Sequence, residues 1–230
     1  MSLNFSSGGI PLPAKEESLS ADLADLGESW PRPSDTLIIF DWDDTLFFTS
    51  ALQDMPDMSW TDLADLGDLL LSCLELAQSL GRLVIVTNAR EGWVEFCAAN
   101  FLPVLLPALE QIPIIYAQEL YSRIFPNSSW QWKLQGFLQL ERSLSGIVKN
   151  VVVIGDSADE MLAAQMFAER RPGVLVKRIR FLAQSSVSEL TQQISLLGNM
   201  LAAVTEAEEY EEVVMLPDAS NQRIQVHSSI

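Results

Sequence analysis

The stretch Leu37-Ile38-Ile39-Phe40-Asp41-Trp42-Asp43-Asp44-Thr45-Leu46 decides the fold. Its first four residues are an apolar run that reads as a buried strand. Three carboxylates then follow within four residues. Like charges this close repel, and one must take up a proton unless a cation sits among them. A divalent metal removes the conflict, because it becomes the largest local charge. The stretch therefore predicts a carboxylate–metal site at the end of a strand.

Two further runs repeat the pattern. Residues 83–86 are apolar and lead into Thr87-Asn88; residues 151–154 are apolar and lead into Gly155-Asp156-Ser157. Short, continuously apolar runs followed by helix-like sequence are expected of strands covered on both faces of a parallel sheet. The C-terminal ends of such strands share one edge, where open α/β folds bind ligands. Asp41, Asp43, Thr87 and Asp156 are thus expected to converge.

The remaining elements follow from pattern and caps. Residues 36–41 are the first strand. Ser59 is placed to cap a helix that runs to Leu80 and closes at Gly81. Leu63, Leu66, Leu70, Cys73, Ala77 and Leu80 form its apolar stripe. Residues 83–87 make the second strand and 91–100 a helix. Residues 113–116 make a third strand, with Pro113 at its start, where proline is tolerated. Ser129 caps a helix over 130–143. Residues 151–154 are the fourth strand, 159–170 a helix, 174–181 a fifth strand and 187–204 a last amphipathic helix. The fifth strand reads as an edge, because Lys177, Arg178 and Arg180 suit a protected edge. This βαβ series predicts an α/β, Rossmann-like fold: a parallel sheet of about five strands with helices on both faces.

Residues 1–35 hold Gly8-Gly9 and four prolines and read as a flexible arm. Residues 36–205 form the domain. Residues 206–230 open with an acidic run and read as a tail. The string Asp-Leu-Ala-Asp-Leu-Gly at Asp22 recurs at Asp62, but two short copies do not make a repeat architecture.

The composition narrows the function. The formal net charge of -17 argues against sequence-independent nucleic-acid binding and against docking on an anionic membrane. The most hydrophobic region, residues 94–117, is broken by Asn100, Pro103, Pro107, Glu110 and Pro113, which argues against a membrane span. The first twenty residues lack the continuous apolar core of a signal peptide. Cys73 and Cys97 fall in helix-like segments and are expected as buried thiols of a cytoplasmic protein. With those two cysteines and the single histidine, His227, a zinc site of the N/S type is not expected. The oxygen-rich cluster suits a hard cation such as Mg²⁺.

Each candidate also has a plainer reading. Asp-rich turns are often only solvated. Thr87-Asn88 can simply end a strand, and Asp156, Asp159 and Glu160 favour a helix N-terminus without any function. Their joint occurrence at three parallel strand ends favours the site. Lys133 sits in the first turn of its helix, where a cation opposes the dipole, so a bound anion would explain it. Lys149 precedes a strand and belongs at the opposite edge. Arg90 reads as a surface residue, and Trp130 and Trp132 as packing.

Asp41-Trp42-Asp43-Asp44-Thr45 matches the DxDxT motif of the haloacid dehalogenase (HAD) superfamily. Thr87 resembles its second motif, Lys133 its third, and Gly155-Asp156-Ser157-Ala158-Asp159-Glu160 its fourth. The fuller strings, including Val86-Thr87-Asn88-Ala89, Gly92-Trp93-Val94, Phe101-Leu102-Pro103 and Trp132-Lys133, resemble one group of HAD-like proteins from protists and algae. The resemblance implies an Mg²⁺-dependent phosphatase acting through an aspartyl-phosphate. Asp41 would be the nucleophile and Asp43 the acid/base; Thr87, Asn88 and Lys133 would bind phosphoryl oxygens. Asp41, the Asp43 carbonyl and Asp156 would hold the metal. Asp159 and Glu160 compete for the last acid, and the family spacing favours Glu160. The family bends its chain between the first two carboxylates, so that one faces the metal and the other the leaving group. The substrate would be a phosphorylated small molecule or protein. The alternatives are a catalytically weak binding module and a phosphotransferase to an acceptor other than water. The segments 46–82 and 88–133 are too short to hold a substantial cap domain, although residues 47–58 offer a small lid.

Overall fold

The computed structural model describes residues 35–52, 59–144, 148–208, 212–218 and 223–229. The expected arm therefore lies, apart from Asp35, outside the described residues. The chain runs β1 (Thr36–Phe40), α1 (Trp60–Leu80), β2 (Arg82–Thr87), α2 (Trp93–Phe101), β3 (Ile114–Tyr116), α3 (Ala117–Tyr121) and α4 (Ser129–Ser143). It continues β4 (Asn150–Gly155), α5 (Ala158–Arg170), β5 (Leu175–Arg180), α6 (Val187–Glu206), β6 (Glu212–Asp218) and β7 (Arg223–Ser229).

The strands form one seven-stranded sheet in the order β3-β2-β1-β4-β5-β6-β7. The first six of that order run parallel, and β7 pairs antiparallel with β6. β1 lies inside, with Ile39 opposite Val84 on one side and Val153 on the other. From β1 the chain first builds outward through β2 and β3, then returns to place β4 on the other flank. The strand order reverses between β1 and β4, the position at which open α/β sheets bind ligands.

Residue alternation divides the core into two layers. Ile38, Phe40, Leu83, Ile85, Val152 and Ile154 pack with α1, α2 and α6. Leu37, Ile39, Val84, Val86, Val151 and Val153 pack with α3, α4 and α5. Both faces of the central strands are thus dry, which is why their sequence is apolar at every position rather than at alternate ones. Cys73 and Cys97 are buried free thiols. Among the described residues no large domain is inserted between these elements, and no helix is long and apolar enough to cross a membrane.

Two expectations are corrected at the C-terminal side. β5 is not an edge, because β6 pairs with it through Ile179 and Val213. Arg180 is exposed, but the other two basic residues have inward partners. Lys177 is wholly buried and donates to the Thr205 carbonyl at 2.7 Å, in the last turn of α6, where carbonyls lack helical partners. Arg178 reaches Glu212 of β6 at 2.9 Å. The segment expected as a tail supplies β6 and β7, which raises the strand count from five to seven. Its acidic run masks an alternation that buries Val213 and Met215 and turns Glu212 and Leu216 outward.

The end of α1 shows how tightly the layers meet. Ser59 caps the helix by accepting from the Thr61 N–H. Gly81 closes it with an extended backbone, φ -170°, which any residue can adopt. Its lack of a side chain matters for space: a Cβ there would come within 2.9 Å of the Thr36 carbonyl oxygen. Gly81→Ala is expected to cost about 1–3 kcal/mol by overpacking against backbone, read as a lower urea midpoint with an unchanged slope.

Candidate active site

Beyond β1 the chain bends sharply. The Trp42 carbonyl accepts from the N–H groups of Thr45, Leu46 and Phe47 at 3.2, 2.9 and 2.9 Å. Asp44 takes a left-handed backbone, φ 53°, which aspartate tolerates better than most residues. Its carboxylate accepts from the Ser50 N–H at 2.7 Å and the Ser50 hydroxyl at 2.5 Å, closing the loop. Trp42, Phe47 and Phe48 are buried, and the rings of Trp42 and Phe47 stack at 5.9 Å. Residues 47–50 are therefore tied to the core and to the acidic motif rather than free to act as a lid; residues 53–58 lie outside the described residues.

The bend sends the two motif carboxylates into different networks. Asp41 turns to Lys133, whose Nζ lies 2.6 Å from Oδ1. Lys133 is 1% exposed and also pairs with Glu160. Asp43 turns away. Its Oδ1 accepts from the Thr49 hydroxyl at 2.5 Å and the Trp93 indole at 2.8 Å, and its Oδ2 faces the Thr87 hydroxyl at 3.5 Å.

Asp156 follows β4, and Ser157, not Asp156, caps α5. Ser157 and Glu160 form a reciprocal capping box. One oxygen of Glu160 thus serves the helix start while the other faces Lys133. Oxygens of Asp41, Asp156 and Glu160 all lie within 4.8 Å of one another. Asp159 is half-buried and also lines the pocket, outside that trio.

The electrostatics of the cluster are unbalanced. Three carboxylates face one ammonium, which leaves two formal negative charges. Burial pushes the Asp156 carboxyl up to about 7, with Glu160 and Asp44 adding to the rise and Lys133 opposing it. Burial also holds Asp41 well above the usual carboxylate range, against the pull of Lys133. For Glu160, Lys133 and the Ser157 hydroxyl outweigh burial and hold its carboxyl low. For Lys133, the two carboxylates likewise outweigh burial and hold its ammonium high. The donor set is all oxygen and, with its carboxylates ionised, carries two negative charges beyond the Lys133 ammonium, which fits a hard divalent cation such as Mg²⁺.

Asp41, Asp43, Asp44, Asn88, Lys133, Asp156 and Glu160 line one pocket of about 220 Å³ at the carboxyl edge of the sheet. Thr87 stands behind it, wholly buried, accepting from the Ala89 N–H at 2.9 Å. Asn88 donates to the Ser129 carbonyl at 3.3 Å, and its buried Oδ1 has no protein partner. Lys149 lies at the other end of the sheet, 76% exposed and 3.6 Å from Asp35. Arg90 is exposed. Trp132 packs in the core and donates to the Phe125 carbonyl at 2.7 Å.

Thr49, Ser50, Ser157 and Trp93 join the site although none of them carries a role in the sequence alone; Ser157 and Trp93 stand only as members of the strings that carry the resemblance. The Ser157–Glu160 box was legible as Ser-x-x-Glu ahead of a helix. Nothing in the sequence pointed the indole of Trp93 at Asp43, because the two are fifty residues apart.

Comparison with protein-family models, curated proteins and solved structures returns no match. The parallel sheet with its buried Asp-Asp-Glu cluster is consistent with a generic HAD-like fold, and the likeness rests on that architecture and on where its residues fall.

The raised Asp156 carboxyl gives a sign to the pH dependence. Its folded value of about 7 exceeds its ordinary 3.8, so its contribution to stability is full below the ordinary value and is lost as pH rises through 7. Chelator-treated protein is expected to melt at a lower temperature at about pH 8 than at about pH 6, and Mg²⁺ to raise the melting temperature more at the higher pH, because metal and proton compete for the same oxygens. Thermal melts across that range, with and without Mg²⁺, check it.

Proposed function

We propose that this protein is an Mg²⁺-dependent phosphatase that hydrolyses a phosphate monoester through an aspartyl-phosphate on Asp41. The observation that carries the reading is the separation of two carboxylates two residues apart: Asp41 sits against the buried Lys133 ammonium, and Asp43 in a shell of neutral donors. Phosphoryl transfer through a carboxylate needs such a pair, one to attack and one to handle protons.

The resident residues would divide the work as follows. Asp41, Asp156 and Glu160 would hold the metal, with the Asp43 main-chain carbonyl. Bound Mg²⁺ supplies positive charge that keeps these carboxylates ionised and draws charge from the phosphoryl oxygens. Lys133 has three N–H donors; Asp41 and Glu160 engage two, and the third can meet a phosphoryl oxygen. Asn88 lines the pocket and can add a donor. The Thr87 hydroxyl, at 3.5 Å from Asp43, is near the outer limit of a hydrogen bond and can turn to the phosphoryl group. Asp43 protonates the leaving oxygen and later takes a proton from water.

The substrate class follows from access. Among the described residues no inserted domain covers the pocket, and the loop after Asp44 is pinned down. A site of this kind admits a phosphate carried on a macromolecule, so we assign a phosphoprotein or phosphopeptide as the preferred substrate. Two buried free thiols favour a reducing, cytoplasmic setting.

Purified protein is expected to hydrolyse an aryl phosphate with Mg²⁺ and to stop when metal is chelated. Asp41→Asn should abolish turnover while the protein stays folded; unchanged activity would refute the mechanism. Lys133→Ala should lose roughly 10²–10³ in rate, as removal of a fixed donor at developing charge does, and Lys149→Ala almost nothing. Folded, metal-bound protein with no turnover on any phosphate would favour a binding module instead. In a comparison of kcat/KM, phosphopeptides should surpass sugar and nucleotide phosphates; selectivity for one small metabolite would overturn the open-site assignment.

A further inference from the structure

We propose that Trp93 is the positioning residue for Asp43, its indole N–H fixing the carboxylate that passes a proton to the leaving group. The inference rests on the phosphatase reading above. Trp93 Nε1 donates to Asp43 Oδ1 at 2.8 Å, and the Thr49 hydroxyl donates to the same oxygen at 2.5 Å. An oxygen that accepts two donors has both lone pairs occupied. The proton in transit must therefore travel on Oδ2, which meets the Thr87 hydroxyl at a long 3.5 Å. The geometry divides the carboxylate into an anchored oxygen and a working one.

The indole is itself held in place. Trp93 opens α2 directly after Gly92, whose φ of 86° puts the backbone in the left-handed region that favours glycine. The ring stacks on Phe96 at 5.7 Å and 17°, and meets Phe47 edge-on at 6.4 Å and 88°. Aromatic contacts on two sides leave the N–H one direction. The loop after β2 thereby fixes a side chain that follows β1.

In the first half-reaction an Asp41 oxygen attacks phosphorus and forms an acyl-phosphate bond. The bond from phosphorus to the leaving oxygen breaks, its electron pair stays on that oxygen, and the Oδ2 proton of Asp43 joins it. In the second, water attacks phosphorus and gives a proton to Asp43, and the bond to Asp41 breaks to return the carboxylate and release phosphate. An alkoxide leaving group needs the proton from Asp43, whereas a dinitrophenolate departs without one.

That difference supplies the test. Trp93→Phe keeps an aromatic ring and removes the N–H. The ratio of kcat/KM for dinitrophenyl phosphate to that for an alkyl phosphate should rise on the order of tenfold, within the 10²–10⁴ that general acid catalysis supplies. Equal losses on both substrates would mean a structural role and would overturn the inference. In an Asp43→Asn background, Trp93→Phe should add no further loss on the alkyl phosphate; a fully additive loss also overturns it. If the Phe variant does not fold, Trp93→benzothienylalanine keeps the shape of the ring without its N–H and reads the same two outcomes. Wild-type protein inactive on both substrates, or Asp41→Asn still active, instead takes down the phosphatase reading and this inference with it.

Discussion

The buried ammonium of Lys133 is the interaction on which the rest of the site depends. It pairs with Asp41 at the end of β1 and with Glu160 at the start of α5, and it comes from α4. Three separate elements thus meet at one charge. Removing one partner of a buried pair is far costlier than its net worth, because the remaining charges are left uncompensated. Without Lys133 the oxygens of Asp41, Asp156 and Glu160 would face one another inside the protein. The ammonium lets the fold close around the carboxylates, and their excess charge makes room for a cation.

The sheet explains why these groups meet. The strand order reverses between β1 and β4, and the Asp41 N–H donates to the Ile154 carbonyl at 2.9 Å just beyond their last paired residues. Asp41 and Asp156 thus emerge side by side from neighbouring strands. α4 and α5 pack on the same face, which places Lys133 and Glu160 against that junction. The two apolar layers fix the strand ends, and the carboxylates have little freedom to separate. Crowding by their neighbours is therefore a property of the fold, and so are the raised carboxyls of Asp41 and Asp156.

Much of this was legible because each chemical residue follows an apolar run. A strand buried on both faces announces itself by its sequence, and the residue after it lies at the carboxyl edge. That logic named Asp41, Asp43, Thr87 and Asp156, of which the three aspartates line the pocket and Thr87 stands behind it, and it set Lys149 apart. It did not reach interactions that need the fold first. Lys177 read as an edge charge, although a lysine at a helix C-terminus can be buried when carbonyls await a donor. β6 read as a tail because the acidic run that leads into it obscured the alternation of Val213 and Met215. The third carboxylate, Asp44, read only as one of three crowded charges; it locks the loop through Ser50 and presses on Asp156.

The bend after β1 is what turns a charge cluster into a site with two functions. In an extended strand Asp41 and Asp43 would point the same way and share one environment. Here three N–H groups gather on the carbonyl of Trp42, the residue between them, and the chain turns left-handed at Asp44 just after them. A turn of that kind is weak on its own, since water competes for each of its bonds. Trp42, Phe47 and Phe48 offset this by burying their rings in the layer with α1 and α2. The apolar residues interleaved with the acids therefore hold the two carboxylates apart. A motif read only for its acids omits the part that makes them chemically different.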